Sequence, residues 1–257
     1  MDIQIATLSE QGGRDYNEDV CGHWSDGRFT ACLVADGAGG HGGGDVASAI
    51  ARDSILDGFV AAPSLDRNFL RHLFEQANRD VVTRQALGGK LAAMRTTAVM
   101  AAIDLSLRAL VWVHSGDSRA YLFRGGAIVA RTTDHSLVQQ MVAGGMLDEE
   151  AARLHPQRNM LLSALGSVTE PPDIDVSERM RLQPGDVLLL CTDGLWEPLG
   201  DGQIVEALQT SPTAAHWSDA LDAKVRAQAK PGHDNYTALM LWVLEEDPER
   251  TRILGNE

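Results

Sequence analysis

A chain of 257 residues with 44% hydrophobic and 23% charged side chains is long enough to bury a substantial core and fits one two-layer or sandwich domain. Its formal net charge of -14, from 36 acidic against 22 basic side chains, argues against nucleic acid or another polyanion as the main partner. No segment offers the roughly 18 apolar residues of a membrane span, and MDIQIATLSEQ lacks the basic start and apolar core of an export signal, so no membrane association and a cytoplasmic location are expected.

In chain order, the first strong signal is FTACLVAD (29–36), an apolar run that reads as a strand ending in acid and glycine. Apolar residues then recur every three or four positions over 43–59 and 64–87, which predicts two helices around the loop AAPSLD (61–66). TTAVMAAID (96–104), ALVWVHSGDS (109–118) and AYLFRGGAIVA (120–130) follow as strands, the last folded at Gly125-Gly126. Helical spacing returns at 134–145 and 148–154; after the loop TEPPD (169–173) come a strand, DVLLLCTD (186–193), helices at 201–209 and 213–229, and a last strand, YTALMLWVL (236–244). Helices and strands fall in blocks, so the predicted class is α+β, with mostly antiparallel strands in a single domain over 1–245 and a short polar tail at 246–257. Cys21, Cys32 and Cys191 are odd in number and far apart, and read as buried free thiols.

Several acids stand where an apolar strand gives way to glycine. Asp36-Gly37 and Asp193-Gly194 each end a strand, Asp117 follows Gly116, and Asp234 lies in GHDN before the last strand; Glu18 and Asp19 follow Asn17. A carboxylate beside glycine lets a ligand approach the backbone, so that a peptide carbonyl joins carboxylate oxygens around a hard cation. So many carboxylates in one place repel one another unless a multivalent cation neutralises them, which points to a binuclear Mg²⁺ or Mn²⁺ centre. Any one of these sites taken alone is also an ordinary Asp-Gly turn.

The ordered set QGGRDYNEDV (11–20), LVADGAGGHGGGDVAS (33–48), RTTAVMAAI (95–103), VHSGDSRAYLFRGG (113–126), TTDHSLVQQMVAGG (132–145), NMLLSALG (159–166), PGDVLLLCTDGLWE (184–197) and HDNYTALML (233–241) resembles the metal-dependent Ser/Thr protein phosphatases of type 2C in their compact bacterial form. The resemblance spans about residues 5–243 and implies two antiparallel sheets packed as a sandwich between helices, α-β-β-α. It implies that Asp36 bridges two cations with the Gly37 carbonyl as a further ligand, that Asp193 and Asp234 bind one of the pair, and that Glu18 and Asp19 hold metal waters. Asp117 then supports a third, weaker ion, and Arg14 grips the substrate phosphate as a planar, permanently charged fork. The implied reaction is direct attack of a cation-bridging water on phosphorus, releasing serine or threonine from a phosphorylated protein and opposing a bacterial Ser/Thr kinase; a monomer is expected. None of the cysteines lies in the Cys-x5-Arg loop of a thiolate phosphatase.

Two positions depart from the family pattern. Ala38 stands where many eukaryotic members place a histidine general acid, and Arg95 where a glycine often precedes Thr96-Thr97. His41 is read as a loop residue and His135 as structural, beside a helix N-cap. Residues 134–166 correspond to the family's mobile flap, where changes at Arg153 or Arg158 are expected to alter protein-substrate choice more than hydrolysis of a small aryl phosphate. A non-enzymatic binding module would have lost metal carboxylates, and the phosphatases of anti-sigma-factor antagonists commonly lack the phosphate arginine; Asp36, Asp193, Asp234 and Arg14 weigh against both.

Overall fold

The central strands are apolar on both faces, which only burial on both sides satisfies. In the computed structural model, which describes residues 1–39 and 42–245, the chain runs β1 (Asp2–Glu10), β2 (Asp19–Ser25), β3 (Phe29–Ala38), α1 (Gly44–Ala61), α2 (Arg67–Gln85), β4 (Arg95–Thr96), β5 (Ala98–Asp104), β6 (Ala109–Ser115), β7 (Arg119–Arg124) and β8 (Ala127–Arg131). It continues through α3 (Leu137–Ala143), α4 (Glu149–Leu154), β9 (Asp175–Val176), β10 (Met180–Arg181), β11 (Val187–Cys191), α5 (Asp193–Gln209), α6 (Ala214–Gln228) and β12 (Tyr236–Leu244). Among the described residues, one sheet has the order β1-β12-β11-β7-β8; the other is β10-β6-β5-β3-β2, with β4 added on β3 and β9 on β6. Every pairing is antiparallel.

Side-chain alternation along each strand divides the core into layers. On β3, Cys32 and Val34 face the second sheet, where Leu188 and Leu190 of β11 and Leu239 and Leu241 of β12 meet them. The intervening Ala31, Leu33 and Ala35 face Ile55 and Phe59 of α1 and Phe74 of α2. On the far side, Leu189, Tyr121 and Met240 pack under Leu199 of α5 and Trp217 and Leu221 of α6. The result is the α-β-β-α arrangement expected, with each buried Leu or Phe contributing about 2 kcal/mol. No helix among the described residues is long and apolar enough to cross a membrane.

Three elements depart from the sequence expectation. β1 and β2 are edge strands, each paired along one side, and their half-exposed patterns dilute the strand signal. α5 begins at Asp193 rather than at 201, because Gly194, Pro198 and a left-handed Gly200 (φ 63°) interrupt its periodicity and kink it. Cys32 and Cys191 are buried free thiols as expected, whereas Cys21 is half-buried, since β2 lies at an edge. His41 and the tail at 246–257 lie outside the described residues.

Candidate metal centre

Antiparallel pairing brings the acid-bearing strand ends to one rim of the sandwich. Asp19 opens β2 directly opposite Asp36 near the end of β3, Asp117 turns between β6 and β7, Asp193 starts α5, and Asp234 precedes β12. A cleft of about 860 Å³ forms there, lined by Arg14, Glu18, Asp36, Gly37, Asp117, Asp193 and Asp234 among others. Seven of the eight expected site residues thus face one cavity. The eighth, Asp19, lies buried behind the cleft, where the Thr192 hydroxyl donates to its Oδ2 at 2.9 Å. Adjacent residues point to opposite sides of an extended chain, so Glu18 turns the other way and its Oε1 accepts from the Gly44 N–H at 3.1 Å, at the start of α1.

Close backbone approach sets the loop. A Cβ on Gly37 would fall 2.1 Å from the Gly44 carbonyl oxygen, so only glycine fits beside Asp36. The Asp36 carbonyl is fixed by the Thr96 hydroxyl (2.8 Å) and the Thr97 N–H (2.9 Å). On the opposite wall, the Arg14 guanidinium donates to Asp234 Oδ2 at 2.6 Å while half of its side chain stays exposed. Arg14 itself is carried on a loop tied by the Gly13 N–H to the His233 carbonyl at 2.9 Å.

Like charges opposite one another across strands destabilise a sheet, and this cluster shows the strain as raised pKa values. Burial first, then the neighbouring Asp193, pushes Asp19 up to about 7. Burial and Asp234 push Asp193 up to about 6. Burial, with Asp19 and Asp193 next, raises Asp36 well above the carboxylate range, and burial with Asp193 and Asp134 does the same for Asp117. Asp193 Oδ1 is buried and has no hydrogen-bond partner. An acceptor-only oxygen without a donor, amid carboxylates held at raised pKa, fits a hard divalent cation.

Several residues that sequence reasoning passed over build the cleft. Asn235, 4% exposed, accepts from the Glu18 N–H at 2.9 Å and donates to the carbonyls of Gln11 and Tyr16 at 2.7 and 3.0 Å, clamping the Arg14 loop to β12. Its signal was an Asn beside Asp234 at the entry to a buried strand. Arg119, buried, forms a bidentate pair with Asp134 and lies 3.4 Å over the Trp196 ring, whose N–H donates to the Asp117 carbonyl at 3.0 Å. Ala38 is exposed at the cleft, and Arg95 is its register partner on β4.

His135 is structural, as expected. Its backbone N–H donates to the Gly116 carbonyl at 3.0 Å and its Nδ1 accepts from the Gly116 N–H at 3.2 Å, pinning the turn that carries Asp117. A neutral ring then bears its proton on Nε2, 3.2 Å from Asp175 Oδ2. His114, His135 and Asp175 have ligand atoms within 4.8 Å of one another. The two rings are stacked, however, with centroids 4.6 Å apart and planes 26° from parallel, so their in-plane lone pairs do not converge on one ion.

A model of the protein phosphatase 2C family matches residues 12–231. The chain belongs to that family and is a metal-dependent phosphoprotein phosphatase. It is 33% identical over 234 residues to the serine/threonine phosphatase Stp of Listeria monocytogenes, covering 89% of this chain and 90% of that protein. The serine/threonine phosphatase of S. agalactiae superposes with a TM-score of 0.83 at 27% identity, over 94% of this chain and 100% of that one. The catalytic domain of the phosphatase PstP in complex with two manganese ions gives 0.78 at 30% identity, over 95% of this chain and 99% of that one.

Proposed function

We propose that this enzyme hydrolyses phosphoserine and phosphothreonine on proteins, opposing a Ser/Thr kinase, and that residues 1–245 act as one monomeric catalytic unit whose segment 134–166 is a flap over the cleft. In this reading Asp36, the Gly37 carbonyl, Asp193 and Asp234 hold two Mn²⁺ or Mg²⁺ ions, Glu18 and Asp19 support their waters, and Asp117 supports a third, weaker ion. The observation that carries it is the unpartnered buried oxygen of Asp193 among carboxylates raised by their burial and by one another, facing an arginine fork.

Cations bound there supply charge neutralisation at the phosphoryl oxygens and acidify water. The protein supplies the rest. Arg14 presents two donors to two phosphate oxygens, and the bare Asp36-Gly37 loop leaves room for a phosphate against the backbone. Cys32 and Cys191 are buried, with thiols pushed far up by that burial, so neither offers a thiolate for a covalent route. Ala38 offers no proton to the leaving oxygen, so in this reading that proton would come from a water supported by Asp117.

The test is hydrolysis of p-nitrophenyl phosphate and a phosphothreonine peptide with Mn²⁺, Mg²⁺ or EDTA, beside Asp193→Asn. Turnover that needs metal and vanishes in the variant is expected. A folded parent protein that is inactive with either ion would overturn the reading.

A further inference from the structure

A second cavity of about 590 Å³ lies beside the catalytic cleft: Arg14, Asn159 and Asp234 line both, and the second extends between α4 and the loop that follows α6. Its basic residues are unequal. Arg158 is bonded to Glu197, and Arg14 to Asp234. Arg153 and Lys230 make no ion pair among the described residues. The chain has three lysines: Lys224 is paired with Glu206 at 2.7 Å, Lys90 lines the catalytic cleft and Lys230 lines this cavity.

Arg153 lies against the kink of α5. A Cβ on Gly200 would fall 2.8 Å from its Nη1, so the left-handed kink of α5 leaves the space its guanidinium occupies. From there it borders both this cavity and a neighbouring one of about 450 Å³ that reaches Asp117. His233 adds an imidazole to the same wall, with its Nδ1 3.1 Å from the Lys230 carbonyl. In a chain of net charge -14, two cations without an ion-pair partner among the described residues line one concave site that Arg14 also borders, while its acids Glu197 and Asp234 are already paired with Arg158 and Arg14, which leaves the site an excess of positive charge suited to an anion.

We propose that this cavity is a specificity subsite for a second anionic group of the substrate, a carboxylate side chain or a second phosphate, within a few residues of the phosphorylated serine or threonine. Arg153 and Lys230 are its contacts, and Arg158 is a scaffold residue tied to Glu197. The proposal rests on the phosphatase reading above.

The experiment compares three phosphothreonine peptides: one with alanine flanks, one with aspartates two to four residues to either side, and one with a phosphoserine there instead. The parent enzyme is expected to favour at least one anionic peptide by about tenfold in kcat/KM, chiefly through KM, and the arm that gains identifies the group. The Arg153→Ala/Lys230→Ala double variant should lose that preference to within about twofold while turning over p-nitrophenyl phosphate as the parent does. Equal kcat/KM for all three peptides, or a preference that survives the double variant, overturns the subsite. Failure of the phosphatase reading shows separately, as absent p-nitrophenyl phosphate turnover by folded parent protein. Binding of non-hydrolysable phosphonate versions of the same peptides then decides the subsite alone: tighter binding of an anionic peptide by the parent than by the double variant supports it, and equal binding overturns it.

Discussion

Arg14 and Asp234 sit at 2.6 Å from each other, yet each is half exposed, so the arginine is held near the carboxylates and still open to a phosphate. Arg14→Ala is expected to lower kcat/KM for p-nitrophenyl phosphate about 30-fold, the equivalent of ~2 kcal/mol for a charge-assisted fork, and lysine is expected to restore little of it. A loss under threefold would remove Arg14 from phosphate binding. Gly37 is constrained differently, since any Cβ meets the Gly44 carbonyl oxygen at 2.1 Å. Gly37→Ala therefore forces the Asp36 backbone aside, and should cost roughly 2–3 kcal/mol of stability together with most metal-dependent stabilisation; denaturant melts with and without Mn²⁺ would show both. At this scale Asp36 and Asp193 were legible as Asp-Gly pairs ending apolar strands, and Asp117 and Asp234 as acids beside strand ends. Asn235 was not legible, because a clamp on the carbonyls of Gln11 and Tyr16 is defined by partners more than 200 positions away.

Among the elements, β3, β5, β6, β11 and β12 were readable because burial on both faces writes a continuous apolar run. β1 and β2, on the edges, and the first turns of α5, broken by Pro198 and Gly200, carry no such run. The β6–β7 turn illustrates how elements hold the centre. Arg119 on β7 grips Asp134, stacks on Trp196 of α5, and through that indole's N–H fixes the Asp117 carbonyl. Asp134→Ala strands a buried guanidinium and is expected to cost about 3–5 kcal/mol in urea unfolding. Replacing both partners, as Arg119→Met with Asp134→Leu, should recover most of that loss, since the pair's net contribution is small once both charges are gone. Losses that simply add in the double variant would show that the two residues act separately.

For the molecule as a whole, the acidic rim makes stability depend on pH and on metal together. Asp19 and Asp193 titrate near 7 and 6 in the fold, against an ordinary value of 3.8, so between pH 4 and 7 the folded chain holds protons that the unfolded chain has released. Stability of the metal-free protein from these groups is therefore present at low pH and lost as pH rises through that window. EDTA-treated protein should melt at a lower temperature at pH 7.5 than at pH 5, Mn²⁺ should raise Tm more at pH 7.5, and Asp193→Asn should flatten both differences. A metal-free Tm that climbs with pH and is unchanged in the variant would contradict this. The sequence by itself determined the class of fold and marked Asp36 and Asp193 as strand-end acids, because apolar periodicity and Asp-Gly pairs are local properties of the chain, while Arg14 was singled out by the family resemblance of its motif. Only the tertiary structure decided which way each carboxylate turns, that Asp19 lies behind the cleft, and that Arg158 is neutralised while Arg153 is left open. Orientation and charge compensation belong to pairs of distant residues, which meet only when the sheets, α5 and the segment carrying Arg153 and Arg158 pack together.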